Sequence, residues 1–290
     1  MEQSQRTAWG AYLQTCLLQN LPFTMMANTT LNEKFGVQAG VAPSPGILPS
    51  QRYYCIGNGG AGVTAGADNV ALSQPLQHQA TDAALFNHLP FIMRPVNADL
   101  ATSQMAQYAL RQVITWNSVP YACYFLRRID FTGVGVELNM VTVAGGVSTI
   151  TPYVPDASNL NPQPSTPANG SINILSGDFI TAAAIVKLFF NAQDVTELLN
   201  CANIIYGDPR YAVVNEIGLV SGVDKVVNVP VSGGSFNVNE VICAQICSFF
   251  NTYQAMNYQN GGVNINLSVG ATEPLFVLQN TGAQSGTSTG

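Results

Sequence analysis

The sequence predicts a mainly β protein of the α+β class, with antiparallel hairpins that form a sandwich- or barrel-like core, about three helices and long extended arms. Three observations predict this class. Several runs alternate apolar and polar residues, which is the period of a half-buried strand. Residues that favour tight turns, mainly glycine and asparagine, stand between these runs. Few segments have the apolar spacing or the capping residues of a helix.

The chain opens with a predicted helix over residues 8–19. Its apolar residues recur at the i, i+3, i+4 spacing of one helical face, and they are Trp9, Tyr12, Leu13, Cys16 and Leu17. Residues 37–50 follow with Pro43, Pro45 and Pro49, which predict an extended arm or a long loop. The sequence leaves open whether this arm reaches a neighbouring subunit or crosses its own domain.

A glycine-rich segment follows a short apolar run, with four glycines between Gly57 and Gly62. A phosphate-binding loop would need a Lys-Ser/Thr pair and a helix directly after it, and this segment has neither. Its spacing also differs from Gly-x-Gly-x-x-Gly. Turns with positive φ are therefore the predicted reason for these glycines.

Residues 76–89 predict a second helix that carries both histidines, His78 and His88. Asp82 would share a helical face with His78 because the two are four residues apart. The two histidines would lie roughly 15 Å apart along the axis, which is too far for one metal ion. A hydrolase based on His78 and Asp82 would also need a nucleophile, and the chain has no Gly-x-Ser-x-Gly segment. The prediction is therefore a structural role, a solvated face or a contact between subunits.

Two hairpins are predicted in the middle of the chain. The first has a strand over residues 108–116, a turn at Asn117-Ser118 and a return strand through Phe125. Before it, Asp99 is predicted to cap a short segment that runs to about Ala106. The second has strands over residues 136–143 and 147–153, with a turn at residues 144–146.

Arg127 and Arg128 form the only adjacent basic pair in the chain. Such a pair would bind an acidic partner or a phosphate, or it would be a solvated strand end. Residues 155–171 carry four prolines and mark a possible subdomain break within a chain otherwise predicted to be a single structural unit over 1–290. Residues 279–290 are rich in Gly, Ser and Thr and predict a flexible tail.

The C-terminal half predicts more strands and one well-specified helix. Residues 179–190 predict a buried strand, and Asp194 to Glu197 predict a capping box for a helix that ends at Gly207. Further strands are predicted over residues 211–220 and over 238–253, where helix and strand compete and the β-branched and aromatic residues favour strand. A turn at residues 260–262 predicts a hairpin into a last strand over 263–269.

Charge is scarce in this sequence. Only 9% of the 290 residues are charged, with ten Lys+Arg against sixteen Asp+Glu; an ordinary soluble protein has about 25%. The composition suits a chain that is packed against other subunits. A net charge of −6 argues against a dedicated nucleic-acid binder, which needs a basic face.

Nothing in the sequence predicts a catalytic residue, a cofactor or a metal site. The six cysteines are predicted to be reduced, small and buried, because no secretory signal opens the chain. Cys243 and Cys247 are four apart but have no histidine or second cysteine pair near them in sequence, so they do not form a zinc pattern. The longest apolar run is too short to span a membrane, so no membrane partner is expected.

Four segments resemble a family of virion structural proteins from tailed bacteriophages with contractile tails. They are Leu31-Asn-Glu-Lys-Phe-Gly36, Tyr53-Tyr-Cys-Ile-Gly-Asn-Gly-Gly60, Gln77-His-Gln-Ala-Thr-Asp-Ala-Ala-Leu-Phe-Asn-His-Leu-Pro-Phe91 and Gly270-Ala-Thr-Glu-Pro274. They are spread across nearly the whole chain, and none is a mechanistic signature. The resemblance brings no catalytic residues.

The resemblance implies a virion component that is assembled in the host cytoplasm, most specifically a subunit of the neck or collar ring that joins portal and tail. The expected partners are other copies of the chain in a hexameric or dodecameric ring and other virion proteins, such as the portal or adaptor, the tail terminator and collar fibres. DNA would pass through the lumen without sequence-specific binding. A baseplate or fibre-attachment protein is the alternative within this class, and a carbohydrate-binding, adhesin-like module is the alternative outside it. The residues expected at subunit interfaces are Phe35, Val37, Pro43, Pro45, Arg127, Arg128, Pro162 and Pro164.

Overall fold

The computed structural model describes residues 4–65, 71–162, 178–231, 234–257 and 262–275. The helices are α1 (Ala8–Gln19), α2 (Leu31–Phe35), α3 (Thr102–Met105) and α4 (Ala192–Tyr206). The strands are β1 (Ser4–Arg6), β2 (Ser50–Gly57), β3 (Ala61–Ala65), β4 (Ala71–Pro75), β5 (His88–Leu89), β6 (Ile92–Pro95), β7 (Tyr108–Trp116), β8 (Val119–Arg128), β9 (Val136–Ala144), β10 (Val147–Pro152), β11 (Phe179–Asn191), β12 (Val213–Val231), β13 (Gly234–Ala255) and β14 (Gly262–Pro274). The predicted fold class, mainly β with antiparallel sheets and few helices, is confirmed.

The chain divides into two compact units. The first unit contains residues 1–129 and 189–264, and the second unit contains residues 130–188 and 265–290. The chain therefore passes between the units three times. Residues 155–162, which are the described part of the predicted subdomain break at 155–171, fall within the second unit. A subdomain break at 155–171 stays a prediction. The predicted tail, 279–290, lies outside the described residues.

The first unit is built on an eight-stranded sheet that curls into a half-barrel. Its strand order is β1-β13-β12-β2-β8-β6, with β5 added beside β2 and β7 added beside β8. The long strands β12 and β13 pair antiparallel along their length, with three register shifts that bend them. Helix α1 lies directly on β13, because a Cβ on Gly10 would come within 2.4 Å of the Cys247 carbonyl oxygen.

The helix predicted over residues 8–19 and the one predicted from the Asp194–Glu197 capping box to Gly207 both form, as α1 and α4. Helix α1 begins after Thr7, whose hydroxyl accepts a hydrogen bond from the Gly10 N–H. The capping box of α4 lies three residues earlier than predicted, because Asn191 and Asp194 cap each other and Asp194 is the third residue of the helix. Gly207 ends α4 with a φ of 73°, as predicted.

The predicted helix over residues 76–89 is wrong. These residues form loop and turns up to the short strand β5. The N–H groups of Phe86 and Asn87 donate to the Glu216 carboxylate on β12 rather than to carbonyls one turn earlier. A distant carboxylate therefore takes the hydrogen bonds that a helix would need.

Two smaller predictions are also corrected. Asp99 does not cap the short helix α3, whose N-cap position is occupied by Ala101. The Asp99 carboxylate instead accepts hydrogen bonds from the Arg111 guanidinium and the Tyr124 hydroxyl. The last strand, β14, pairs with β11 rather than with β13, so the predicted hairpin across 260–262 does not join these two strands. Most of the turn itself lies outside the described residues.

The second unit is built on a four-stranded sheet with the order β10-β9-β11-β14. The β9–β10 hairpin forms as predicted, with Gly145 and Gly146 at φ of 59° and 80°. The first predicted hairpin, β7–β8, likewise turns at Asn117 and Ser118 with positive φ. Among the described residues of the second unit, the buried side chains are few: Val141, Val186, Leu188, Ile265 and Leu267.

No helix in the described part of the chain is long and apolar enough to cross a membrane.

Candidate functional site

The residues predicted for interfaces lie in different surroundings. The Phe35 ring stacks on the Phe125 ring, with 4.1 Å between centroids, and Val37 packs against the same core of the first unit. Pro43 is half-buried, while Pro45 and Pro162 are exposed. Pro164 lies outside the described residues. Phe35 and Val37 therefore already have internal packing partners, and only the exposed prolines are open to a contact.

The solvated strand end predicted for the basic pair is wrong for Arg127. Its side chain is buried, and one guanidinium nitrogen lies 2.7 Å from an Asp194 carboxylate oxygen at the start of α4. The guanidinium also lies within 6 Å of the Tyr108 and Phe190 ring centroids. Successive residues of a strand point to opposite faces of the sheet, and both faces are covered at this end of β8. Arg127 is therefore buried, as is Leu126 on the opposite face. Arg127 therefore anchors α4 to the sheet.

Arg128 is also used inside the first unit. Its guanidinium forms an ion pair of 3.0 Å with Asp224 and lies over the Tyr53 ring at 4.8 Å. Arg52 contacts the same carboxylate at 2.9 Å. Burial alone would raise the pKa of Asp224, but hydrogen bonds from Arg128 and Tyr53 and the two positive charges lower it overall. The cluster joins β2, β8 and β12 through two guanidinium groups that share one carboxylate.

A second polar cluster is centred on Glu216 of β12, whose side chain is completely buried. The carboxylate accepts hydrogen bonds of 2.9–3.0 Å from the N–H groups of Gly59, Phe86 and Asn87. It also lies 3.0 Å from Nε2 of His78. The other ring nitrogen of His78 lies 3.0 Å from the Asp82 carboxylate. The predicted His78–Asp82 contact exists, but a turn rather than a helix creates it.

The glycine-rich segment owes its glycines to this cluster. A Cβ on Gly57 or Gly60 would come within 3 Å of Glu216 atoms, and one on Gly59 would reach the Asn87 backbone. The positive φ predicted for these glycines is wrong, because none of them has one. Close approach of backbone to a buried carboxylate is the physical reason for the run.

The arrangement around His78 resembles a catalytic dyad only in composition. Carboxylates from Asp82 and Glu216 occupy both ring nitrogens, so neither is free to accept a proton from a nucleophile. The imidazole is also stacked between the Phe86 and Phe249 rings, at 4.0 and 3.8 Å. A cavity of about 250 Å³ adjoins it, and Ser4 is one of the residues that line it. The geometry suits a clamp that holds the 77–91 loop on the sheet.

The cysteines have the properties of buried apolar residues. All six are free thiols, and five are fully buried. Burial raises the pKa of Cys123 and of Cys243 to about 12, which keeps both thiols protonated and unreactive at neutral pH. Within the described ranges, no group of three or more His, Cys, Asp or Glu side chains is placed to hold a metal ion.

A carbohydrate-binding module would need a platform of aromatic rings, for which the sequence offers Trp9, Trp116, Tyr53, Tyr54, Tyr121 and Tyr124, and the structure divides these six between core and surface. Tyr53, Tyr54 and Tyr124 are at most 2% exposed and belong to the core of the first unit. Trp116 is partly exposed near the β7–β8 turn, and Trp9 and Tyr121 are half-buried. These residues do not form one exposed stacking surface.

The four-stranded sheet of the second unit carries a group of exposed apolar side chains. Strand β10 is exposed along its whole length, and Val147 and Ile150 are each 67% exposed. The register places Val136, Leu138 and Val147 on one face of the sheet and Val143, Ile150 and Ile185 on the other. All six are exposed. Both faces of this sheet therefore present apolar side chains to solvent.

Sequence reasoning did not find this surface. It predicted the strands and the turn of the β9–β10 hairpin but made no prediction about which side chains of the hairpin would be exposed. The signal was present in the composition of β10, Val-Ser-Thr-Ile-Thr-Pro, which has no charged residue to protect an edge.

A family model matches residues 1–284, and its description is a family of unknown function, DUF7208. The chain belongs to this family. No curated protein and no solved structure matches it. The family description assigns no activity, so only the residues described above bear on what the protein does.

Proposed function

We propose that this member of DUF7208 is a structural subunit of a tailed-bacteriophage virion, and specifically part of the neck or collar ring that joins portal and tail. The observation that carries the proposal is the apolar surface of the second unit. A monomeric protein rarely exposes apolar residues on both faces and along one edge of the same sheet, whereas a subunit of an assembly covers them with its neighbours.

The internal chemistry of the first unit supports an architectural role. Its buried charges are arranged in pairs and clusters that join separate parts of the unit, such as Arg127 on β8 with Asp194 on α4, and Glu216 on β12 with His78 in the loop before β5. Both ring nitrogens of His78 face carboxylates, and five of the six cysteines are fully buried. These groups stabilise a fixed shape rather than a reaction.

The segments that carry the phage resemblance are parts of this architecture. Residues 53–60 and 77–91 meet at the Glu216 carboxylate, through Gly59 on one side and Phe86 and Asn87 on the other. Residues 31–36 form α2, whose Asn32 side chain donates to the Val241 carbonyl on β13. The resemblance therefore concerns residues that determine the fold, which is consistent with a shared structural role.

The charge distribution is compatible with a ring through which DNA passes. The second unit has five acidic residues and one lysine, so it carries −4 of the net charge of −6. Acidic surfaces repel the DNA backbone weakly and would let it slide past. A hexameric or dodecameric ring in contact with other virion proteins, such as the portal and the tail terminator, is the assembly proposed.

Two measurements test this function. The native mass of the purified chain, with negative-stain images of the same sample, should show a closed ring. Labelling of intact particles with an antibody against the chain should place it between head and tail. Label at the distal end of the tail would favour the baseplate or fibre-attachment alternative. Absence from the particle proteome would overturn the virion proposal, and specific binding in a glycan screen would favour the carbohydrate module.

A further inference from the structure

We propose that strand β10 of one chain pairs with strand β14 of a second copy, so that neighbouring four-stranded sheets join into one continuous sheet. This inference rests on the proposed ring function and names the surface and the partner that would build it. Three observations carry it: the backbone of β10, the direction of β14, and the exposed side chains beside them.

The free edge of β10 is chemically ready for another strand. The Tyr153 N–H donates to the Leu138 carbonyl, so residues 153, 151, 149 and 147 exchange hydrogen bonds with β9. The alternate residues Ser148, Ile150 and Pro152 therefore direct their backbone groups away from β9. Ser148 and Ile150 offer both N–H and carbonyl groups there, while Pro152 offers only its carbonyl and ends the strand. In the described structure no other strand pairs with this edge.

The opposite edge of the same sheet has the direction needed to receive β10. Gly262 lies beside Phe190 and Gly270 lies beside Ala182, so β14 runs antiparallel to β11. Because β11 and β10 are both antiparallel to β9, β14 runs opposite to β10. A second copy placed beside the first would then add β10 to β14 in the antiparallel sense of the rest of the sheet. Such a head-to-tail contact repeats from copy to copy, and it gives a ring when the rotation between neighbouring copies closes on itself.

The scarcity of charge along β10 and β14 favours a second copy of the chain, rather than a charged partner, as the occupant of these edges. Strand β10 has no charged residue, and strand β14 has only Glu273, near its end. Since the second unit is acidic overall, copies could approach only along an uncharged surface such as this one. A six-residue strand pair alone falls short of the roughly 800 Å² per partner of a stable interface. The exposed Val154 and Leu160, at 78% and 84%, supply further apolar area next to β10.

One experiment compares two substitutions at the same position in the full chain. Ile150→Pro removes an N–H that β9 does not use, so it should preserve the hairpin and block the added strand. Ile150→Ala keeps that N–H and removes only apolar area. Sedimentation over a concentration series should show the dissociation constant between copies rising at least about tenfold more in Ile150→Pro than in Ile150→Ala. Circular dichroism should show both variants folded. Equal effects, or an unchanged oligomer in Ile150→Pro, would overturn the edge contact.

A cross-linking experiment identifies the partner strand. One preparation carries Ser148→Cys on β10, and another carries Ser268→Cys, an exposed residue of β14. A short thiol-to-thiol reagent should join the two variants only when they are mixed, with the parent chain as the background from its own cysteines. Cross-linking within the Ser148→Cys sample alone would show a β10–β10 dimer and contradict the proposal. No cross-link in the mixture would contradict it as well.

Different results would reject the β10–β14 interface and the virion function. A ring that survives Ile150→Pro and gives no β10–β14 cross-link would retain the virion proposal and reject this interface. A chain that pairs through β10 and β14 but is absent from particles would retain the interface and reject the virion function. A chain that stays monomeric at every concentration tested would reject the interface directly.

Discussion

The two units of this chain use polar residues in opposite ways. Every buried polar or charged side chain in the described structure belongs to the first unit, and Glu216, Arg127 and Glu240 are among them. The second unit has a small buried core and exposes many of its other valines, leucines and isoleucines. The first unit therefore pairs its buried polar groups internally, while the second exposes apolar side chains on both faces of its sheet and along the β10 edge. The proposed contact between copies is placed on the second unit for this reason.

The largest expected effect is the loss of the Glu216 carboxylate. Glu216→Ala leaves three backbone N–H groups and one imidazole nitrogen of the first unit without their acceptor. We expect the free energy of unfolding, measured with urea, to fall by about 3–5 kcal/mol. Glu137→Ala on exposed β9 is the control and should change it by less than about 0.5 kcal/mol. Similar losses in the two variants would remove the contrast between the units.

Apolar truncation should show the same contrast with no charge involved. Leu219 on β12 is completely buried, and Leu219→Ala should cost about 2–5 kcal/mol of unfolding free energy because it leaves a cavity. Ile185 on β11 is 46% exposed, so Ile185→Ala should cost less than about 1 kcal/mol. Chemical denaturation of both variants at one pH measures the difference. A larger loss for Ile185→Ala would mean that the second unit hides a core of its own.

The pH dependence of stability should come largely from a histidine of the first unit. Burial, and after it the charges of Lys34 and His78, lowers the pKa of His88 from 6.5 to about 3. The unfolded chain binds a proton at about pH 6.5 and the folded chain only near pH 3, so stability falls as pH drops between these values. The expected loss is roughly 2–4 kcal/mol by pH 4.

His88→Gln should make the free energy of unfolding less dependent on pH. The Leu85 N–H now donates to Nε2 of His88 at 3.0 Å, and the glutamine side chain would keep an acceptor for it. Urea midpoints between pH 4 and 7 give the comparison. Asp130→Asn, at an exposed carboxyl of the second unit, should leave the slope between pH 5 and 7 unchanged. A slope that is unaltered in His88→Gln would assign the acid sensitivity to other groups.

The smallest expected change in unfolding free energy is that of a valine-to-threonine substitution on the second unit, compared with the same substitution on the first. Val147→Thr on exposed β10 should change the unfolding free energy by less than about 0.5 kcal/mol. Val220→Thr on β12 places a hydroxyl at a fully buried position and should cost about 1–3 kcal/mol. Thermal and urea unfolding of dilute samples would measure both. A costly Val147→Thr would show that β10 is already covered within the single chain.

Much of the local structure could be predicted because its causes are local. The hairpins turn where Asn117-Ser118 and Gly145-Gly146 supply positive φ, and α4 ends where Gly207 does. The helix predicted over 76–89 failed for the opposite reason. Its backbone donors are taken by a carboxylate about 130 residues away in sequence, and no local pattern announces such a partner.

The candidate interface was predictable only in part. The sequence predicted an assembly protein from its scarcity of charge, and it predicted the β9–β10 hairpin from its glycines. It also assigned Arg127 and Phe35 to interfaces, and the fold uses both inside the first unit. The sequence alone thus determined the β class, the β7–β8 and β9–β10 turns, the end of α4 at Gly207 and the low charge, because these depend on residues near one another in the chain. Only the tertiary structure decided which charges are buried together and which sheet edge stays open, because both depend on strands brought together from distant parts of the chain.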